Sequence, residues 1–269
     1  MQLDRSRIAI CERSWADNLD LALHVVRAYA APLAVCALAT IVPLAVLNHL
    51  FIASIFTDLV DEDAAFGIFY WITALIMIEV PLATAPMTIF LGQALFVEKP
   101  AAKDVWRAFV GSLPQLILLQ GLLRTMFILP VFTWIVPYAM WPYLNEVILL
   151  ERNPLVGRRE QISTLKRNSL LHRGKSGDYL VRAVGALLLS VLLITAIYMT
   201  EDLLVRNLFG FEPGPTGWLV EVQIAFWLVA VYFTAVRFLS YLDGRIRNEG
   251  WEVELLLRAQ RAKLTRQIA

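Results

Sequence analysis

The chain has 269 residues, 58% of them hydrophobic and 17% charged, at a mean hydropathy of +0.62. A soluble globular domain carries about 25% charged residues, so too few are present here to coat a core with polar surface. Soluble, disordered and disulfide-scaffold classes are excluded, and the reading is an all-α integral membrane helical bundle. The formal net charge of +1 gives no reason to expect a nucleic-acid partner.

The first segment, residues 1–28, has an amphipathic helix. Ser14 and Asp17 stand at capping-box spacing. Trp15, Leu19, Ala22 and Val26 then share one helical face, and Asp17, Asp20, His24 and Arg27 another. The membrane domain follows over residues 29–242. A crossing takes about 20 apolar residues, and Tyr29 to Phe56 is the first such run, interrupted by Pro32, Pro43 and the pair Asn48 and His49. Phe66 to Phe96 is the second. Val110 to Leu150 holds 41 largely apolar residues, too many for one span. Pro130 near its middle predicts a hairpin of two helices, with a kinked or re-entrant path as the alternative. Tyr179 to Thr200 and Trp218 to Leu242 complete about six spans, separated by the Gly/Pro-rich residues 210–217.

Further amphipathic stretches are expected before the third span, at Trp106, Phe109 and Val110, and before the fifth, at Ile162 and Leu165. The pattern of an interfacial helix, a span out and a span back would then occur three times, although basic loops alone produce the same pattern. Residues 243–269 form a basic tail helix. There Arg258, Arg261 and Lys263 are candidate contacts for anionic lipid headgroups.

Orientation follows from Lys and Arg placement. The N-terminal segment, the second-to-third and fourth-to-fifth connections, and the last span with its tail together hold 22 of the 24 basic residues. The opposite loops carry Asp58, Asp61, Glu62 and Asp63, and then Glu201, Asp202 and Glu212. Both termini are therefore expected on the cytoplasmic side of a bacterial inner membrane, with an even number of spans.

Motifs for catalysis, phosphate cradling or redox chemistry are absent from the sequence. The three histidines are scattered, and Cys11 and Cys36 lack metal-ligand spacing. No metal, cofactor or catalytic residue is expected. Ionisable residues inside spans are the better candidates, because lipid makes them costly. Glu79 lies about 20 Å below the start of its span and Glu146 about 23 Å beyond Pro130, at 1.5 Å per residue. The two carboxylates could share a depth, with Asn145 beside Glu146 and Arg124 roughly 10 Å nearer the outer leaflet. Glu79, Arg124, Asn145 and Glu146 thus form a candidate intramembrane polar site. The competing reading is interhelical polar pairing, with Glu146 reaching Arg152 or the basic loop.

Three stretches carry a family resemblance: Pro142 to Pro154, Lys166 to Ser169 with Arg173 and Gly174, and Arg237 with Tyr241 to Gly250. They resemble uncharacterised bacterial multi-pass membrane proteins, which are similar to the membrane domain fused to some glycerophosphodiester phosphodiesterases. The catalytic barrel of those enzymes is missing from this sequence, so the resemblance implies architecture and carries no catalytic residue. The expectation is a non-enzymatic membrane scaffold or partner-binding subunit, contacting the bilayer and other membrane proteins. The alternative is a small transporter or lipid-handling protein that uses Glu79, Arg124 and Glu146.

Overall fold

Apolar chain in a bilayer must satisfy its backbone internally, and helices do so segment by segment. The computed structural model, which describes residues 14–56, 62–130, 133–157, 162–171, 176–210 and 217–249, is helical almost throughout, with no strand among those residues. Four helices are long and apolar enough to cross a membrane: Ala30–Ile55, Ala64–Ala94, Gly177–Leu208 and Gly217–Asn248. Side chains such as Val181 (72% exposed), Leu188 (66%) and Leu192 (64%) stand free on the third of these. Such a surface suits lipid and would be a liability in water. The chain is an all-α membrane protein.

Helix α1 (Trp15–Ala28) begins on the predicted capping box: Ser14 Oγ accepts from the Asp17 amide, and Asp17 reaches back to the Ser14 amide. Its buried residues are Asn18, Ala22 and Val25, while Asp20 and His24 are exposed. The apolar stripe lies on protein, however, rather than on lipid alone. Small residues let α1 approach α11 (Gly217–Glu249) closely, and Tyr232 of α11 donates to the Leu19 carbonyl at 3.0 Å. Trp15 meets α10 (Ser176–Leu203) at Gly185, where an added Cβ would stand 3.1 Å from the indole ring. Gly185→Leu should therefore unseat Trp15 and cost about 1–2 kcal/mol by overpacking. Trp15→Ala in the same chain should recover most of that loss in a denaturation series. Additive losses would mean that the contact is slack.

Helix α2 (Ala30–Ile55) packs on α3 (Glu62–Ala83), which continues after a break at Thr84 into α4 (Ala85–Ala94). Pro81 and Pro86 flank the break, and Thr40 of α2 donates to the Ala83 carbonyl at 2.6 Å. The region expected as a hairpin folds back on itself, although neither arm is among the four helices long and apolar enough to cross a membrane. Helix α5 (Ala102–Leu116) runs through a wider π-type turn at Ile117–Leu122 into α6 (Leu123–Ile128). The return consists of α7 (Val136–Met140), a break at Pro142, α8 (Leu144–Glu146) and a second π-type turn at Val147–Glu151. That last turn packs on α5, and α7 packs on α6, so the arms are antiparallel. At the tip, Tyr70 donates to the Leu129 carbonyl and Trp134 to the Ile128 carbonyl, both at the end of α6, and the Thr133 hydroxyl donates to the Pro130 carbonyl that its own amide also reaches.

Helix α9 (Thr164–Leu171) lies in the basic amphipathic segment. Ile162 and Leu165 are 42% and 40% exposed, whereas Thr164, Asn168 and Leu171 are buried. The helix is turned because loop carbonyls need donors. Thr164 Oγ1 donates to Asn153 O at 2.9 Å, and Gln115 Nε2 donates to the same carbonyl at 3.1 Å. The last expected helix, with Arg258, Arg261 and Lys263, lies outside the described residues.

Candidate binding site

Two ends of the bundle differ in charge. The basic end carries the start of α2, the α4–α5 and α8–α10 connections and the end of α11; the acidic end carries the other turns. Towards the basic end, α11 runs past the break in the hairpin's return arm. Arg237 of α11 there donates through Nε to Glu146 Oε1 at 2.6 Å. Glu146 is fully buried and the Arg237 side chain is 18% exposed. A break at Pro142 sets Glu146 in the first turn of α8, and the π-type turn that follows widens the helix beside it. Segments of this type recur at functional sites.

The π-type turn at Ile117–Leu122 sits on the facing arm of the hairpin. It carries Gln120, which accepts from Arg124 Nη1 at 3.2 Å, and the Arg124 guanidinium lies 4.2 Å from the centre of the Tyr138 ring. Arg124 is only 5% exposed and shares an electrostatic neighbourhood with Tyr138, Arg237 and Glu146. Among the described residues, Arg124 Nε and Nη2, Arg237 Nη2, Glu146 Oε2 and both amide atoms of Asn145 are buried without a hydrogen-bond partner. Buried polar groups normally find partners, and unpartnered ones also occur elsewhere in the bundle, at Asn18, Asn168 and Trp227 among others.

Glu79 accepts instead from Asn48 Nδ2 of α2 at 2.7 Å. Neither carboxylate is bonded to Arg124, and Glu146 pairs with Arg237 rather than with Arg152. Of the four expected residues, Arg124 and Glu146 fall into one cluster. Asn145 is buried beside them in the chain, and Glu79 forms a separate polar pair. Arg237 is the member that the sequence left among the basic-end charges. The usable signal was its position, as the only Lys or Arg inside the Trp218–Leu242 run.

The cluster adjoins a cleft of about 620 Å³ between α3, α10, α11 and the stretch from Trp134 to Tyr143. At its basic end stand Arg182, Arg237, Ser240, Tyr143 and Tyr179, the two tyrosine rings edge to face at 5.6 Å. Along its shaft stand Met77 and Val80 of α3, Leu187 and Ile194 of α10, and Phe226 and Phe233 of α11. Tyr179 and Ile194 both line it, fifteen positions apart, so the shaft is about 22 Å long at 1.5 Å per residue. Phe69, Leu187 and Val191 line the cleft and are still 47%, 48% and 56% exposed. The cleft therefore opens sideways on the bundle's apolar flank.

A separate polar hub ties the basic end together. Glu151 receives Arg167 Nε at 2.5 Å and Nη2 at 3.0 Å, Tyr241 at 2.8 Å and Asn153 Nδ2 at 3.0 Å, with Arg245 3.9 Å away. Burial pushes the Glu151 carboxyl up, but the hydrogen bonds from Arg167 and Tyr241 and the nearby positive charges outweigh it, leaving its pKa below the usual range. Nothing in the sequence separated Glu151 from its neighbours except its place in the Glu151 to Pro154 turn.

No protein-family model, curated protein or solved structure matches this chain.

Proposed function

We propose that this chain is a lipid-handling protein of a bacterial inner membrane, with both termini in the cytoplasm, which admits an amphiphile sideways from the bilayer into the cleft. The observation that carries the reading is the cleft's polarity. An apolar shaft opens towards lipid and ends at the guanidinium groups of Arg182 and Arg237. Binding sites of this size are mostly apolar with a few placed polar groups that fix orientation. The placement of 22 of 24 basic residues supports a cytoplasmic basic end. The resemblance to the membrane domain of glycerophosphodiester phosphodiesterases fits a lipid setting but names no ligand.

A scaffold role is the second reading. It is favoured by a separate, polar cavity of about 510 Å³ at the basic end, with Asp104, Arg107, Gln115 and Arg152 in its wall. A partner's polar segment could dock there.

Native mass spectrometry of the full chain released from its own membrane decides between them. The lipid-handling reading expects a retained amphiphile that is lost when Ala186→Phe fills the shaft. If wild-type protein carries no lipid beyond what an unrelated multi-pass protein retains, that reading is wrong.

A further inference from the structure

Resting on the cleft being a lipid site, we infer that its ligand is a single-chain amphiphile with an anionic head, of the fatty acid or monoacyl phosphate class. Size sets the chain number. A dry cavity of about 150 Å³ takes one benzene, and the cleft is about four times larger, at roughly 620 Å³. That is room for about 25 non-hydrogen atoms, enough for one long acyl chain with a compact head. A diacyl phospholipid has roughly twice as many, so its second chain would have to lie outside the cleft, in the opening at Leu187 and Val191.

Charge sets the head. Arg182 and Arg237 line the basic end of the cleft, and Arg124 stands behind the Tyr138 ring that also lines it. The acids facing this group are few. Glu146 is taken by Arg237 and Asp243 by Arg247 at 3.0 Å, while Asp178 is exposed at the start of α10. Among the described residues the balance remains positive with Asp178 included. Arg237 Nη2 is buried with no partner among the described residues. Arg237 already has its countercharge in Glu146 and lacks only a hydrogen bond at Nη2, whereas Arg182 has no ion pair among the described residues, so an ionised acceptor between the two supplies both the bond and a countercharge. A neutral head would supply only a weaker bond, and a zwitterionic head would bring its own cation against the arginines.

Geometry sets the route. The polar end of the cleft lies at the bundle's basic end, and the shaft runs from there towards the middle of the spans. An amphiphile in the leaflet at that end already points its head and tail in these directions. It can enter sideways through the opening at Leu187 and Val191 without turning over.

The test uses the full chain in nanodiscs and a stearate brominated at mid-chain, which quenches tryptophan fluorescence on contact. Trp15 and Trp134 both line the cleft. Saturable quenching by the brominated acid is expected at about ten-fold lower concentration than by the matching brominated alcohol. Arg182→Gln should remove most of that preference, and Arg182→Lys should keep part of it. Palmitate and a monoacyl glycerol phosphate are then compared as displacing ligands, and the stronger of the two identifies the source of the head. Equal quenching by acid and alcohol would overturn the anionic head while leaving the cleft a lipid site. Displacement by a diacyl phosphatidic acid as strong as by the monoacyl compound would overturn the single chain. Absence of saturable quenching by any of them would overturn the lipid-handling reading itself.

Discussion

Glu146→Ala should destabilise the protein by about 3–5 kcal/mol, the usual cost of removing one partner from a buried ion pair. The carboxylate is fully buried and bonded to Arg237 at 2.6 Å. Its loss leaves two guanidinium groups, Arg124 and Arg237, in one electrostatic neighbourhood with no countercharge bonded to either. Replacing both partners with apolar residues of similar volume, Glu146→Leu with Arg237→Met, should recover much of the loss. The double change removes the desolvation cost together with the attraction. Equilibrium unfolding in mixed micelles by increasing sodium dodecyl sulfate measures all three chains. A loss under 1 kcal/mol for Glu146→Ala would mean that water reaches the pair. The milder Glu146→Gln divides stability from binding. It should lower stability, yet tighten the brominated acid by freeing Arg237 for the ligand. Such a trade is expected wherever a binding group is held in check by a structural partner.

That pair also shows where sequence reading stops. Spans were legible because each is a long apolar run, and the α1 cap was legible because Ser14 and Asp17 lie within one turn. Glu146 was legible as a costly charge inside a span. Its partner was not, since Glu146 and Arg237 are 91 positions apart and their meeting depends on which helices become neighbours. Depth arithmetic placed Glu79 level with Glu146 and missed lateral position altogether. Asn48, an apparent interruption of the first span, turns out to be the partner of Glu79. At α9 the apolar Ile162 and Leu165 stay exposed, while the polar Thr164 and Asn168 face inward. Thr164 donates to the Asn153 carbonyl and Asn248 of α11 donates to the Leu171 carbonyl, and no periodicity records such contacts. The cleft was equally hidden, because it is space between helices that are each ordinary in composition.

Acid should loosen the basic end of the bundle, and Glu151→Gln should do the same at neutral pH. Glu151 joins the end of the hairpin, α9 and α11 through Arg167, Tyr241 and Arg245. Its pKa is held below the unfolded value of about 4.3. A carboxyl of that kind contributes its full stabilisation above the unfolded pKa and loses it as pH falls through the folded one. The hub should therefore hold at pH 5 and give way at strongly acid pH. Removing the charge with Glu151→Gln takes away the ionised acceptor that Arg167 and Arg245 both approach. The expected cost is about 2–3 kcal/mol, below that of a fully buried pair, because 12% of the Glu151 side chain stays exposed. Pepsin reads both effects, being active across the acid range. In wild-type protein, cleavage within Thr164–Leu171 should be slow at pH 5 and rise steeply below the unfolded carboxyl value. In the Glu151→Gln chain it should be fast at pH 5 already and change little with further acid. Equal cleavage of the two chains at pH 5 would remove Glu151 from its place as the fastener. The Asn248 bond to the Leu171 carbonyl, at 2.6 Å, would then be left to hold α9 against α11.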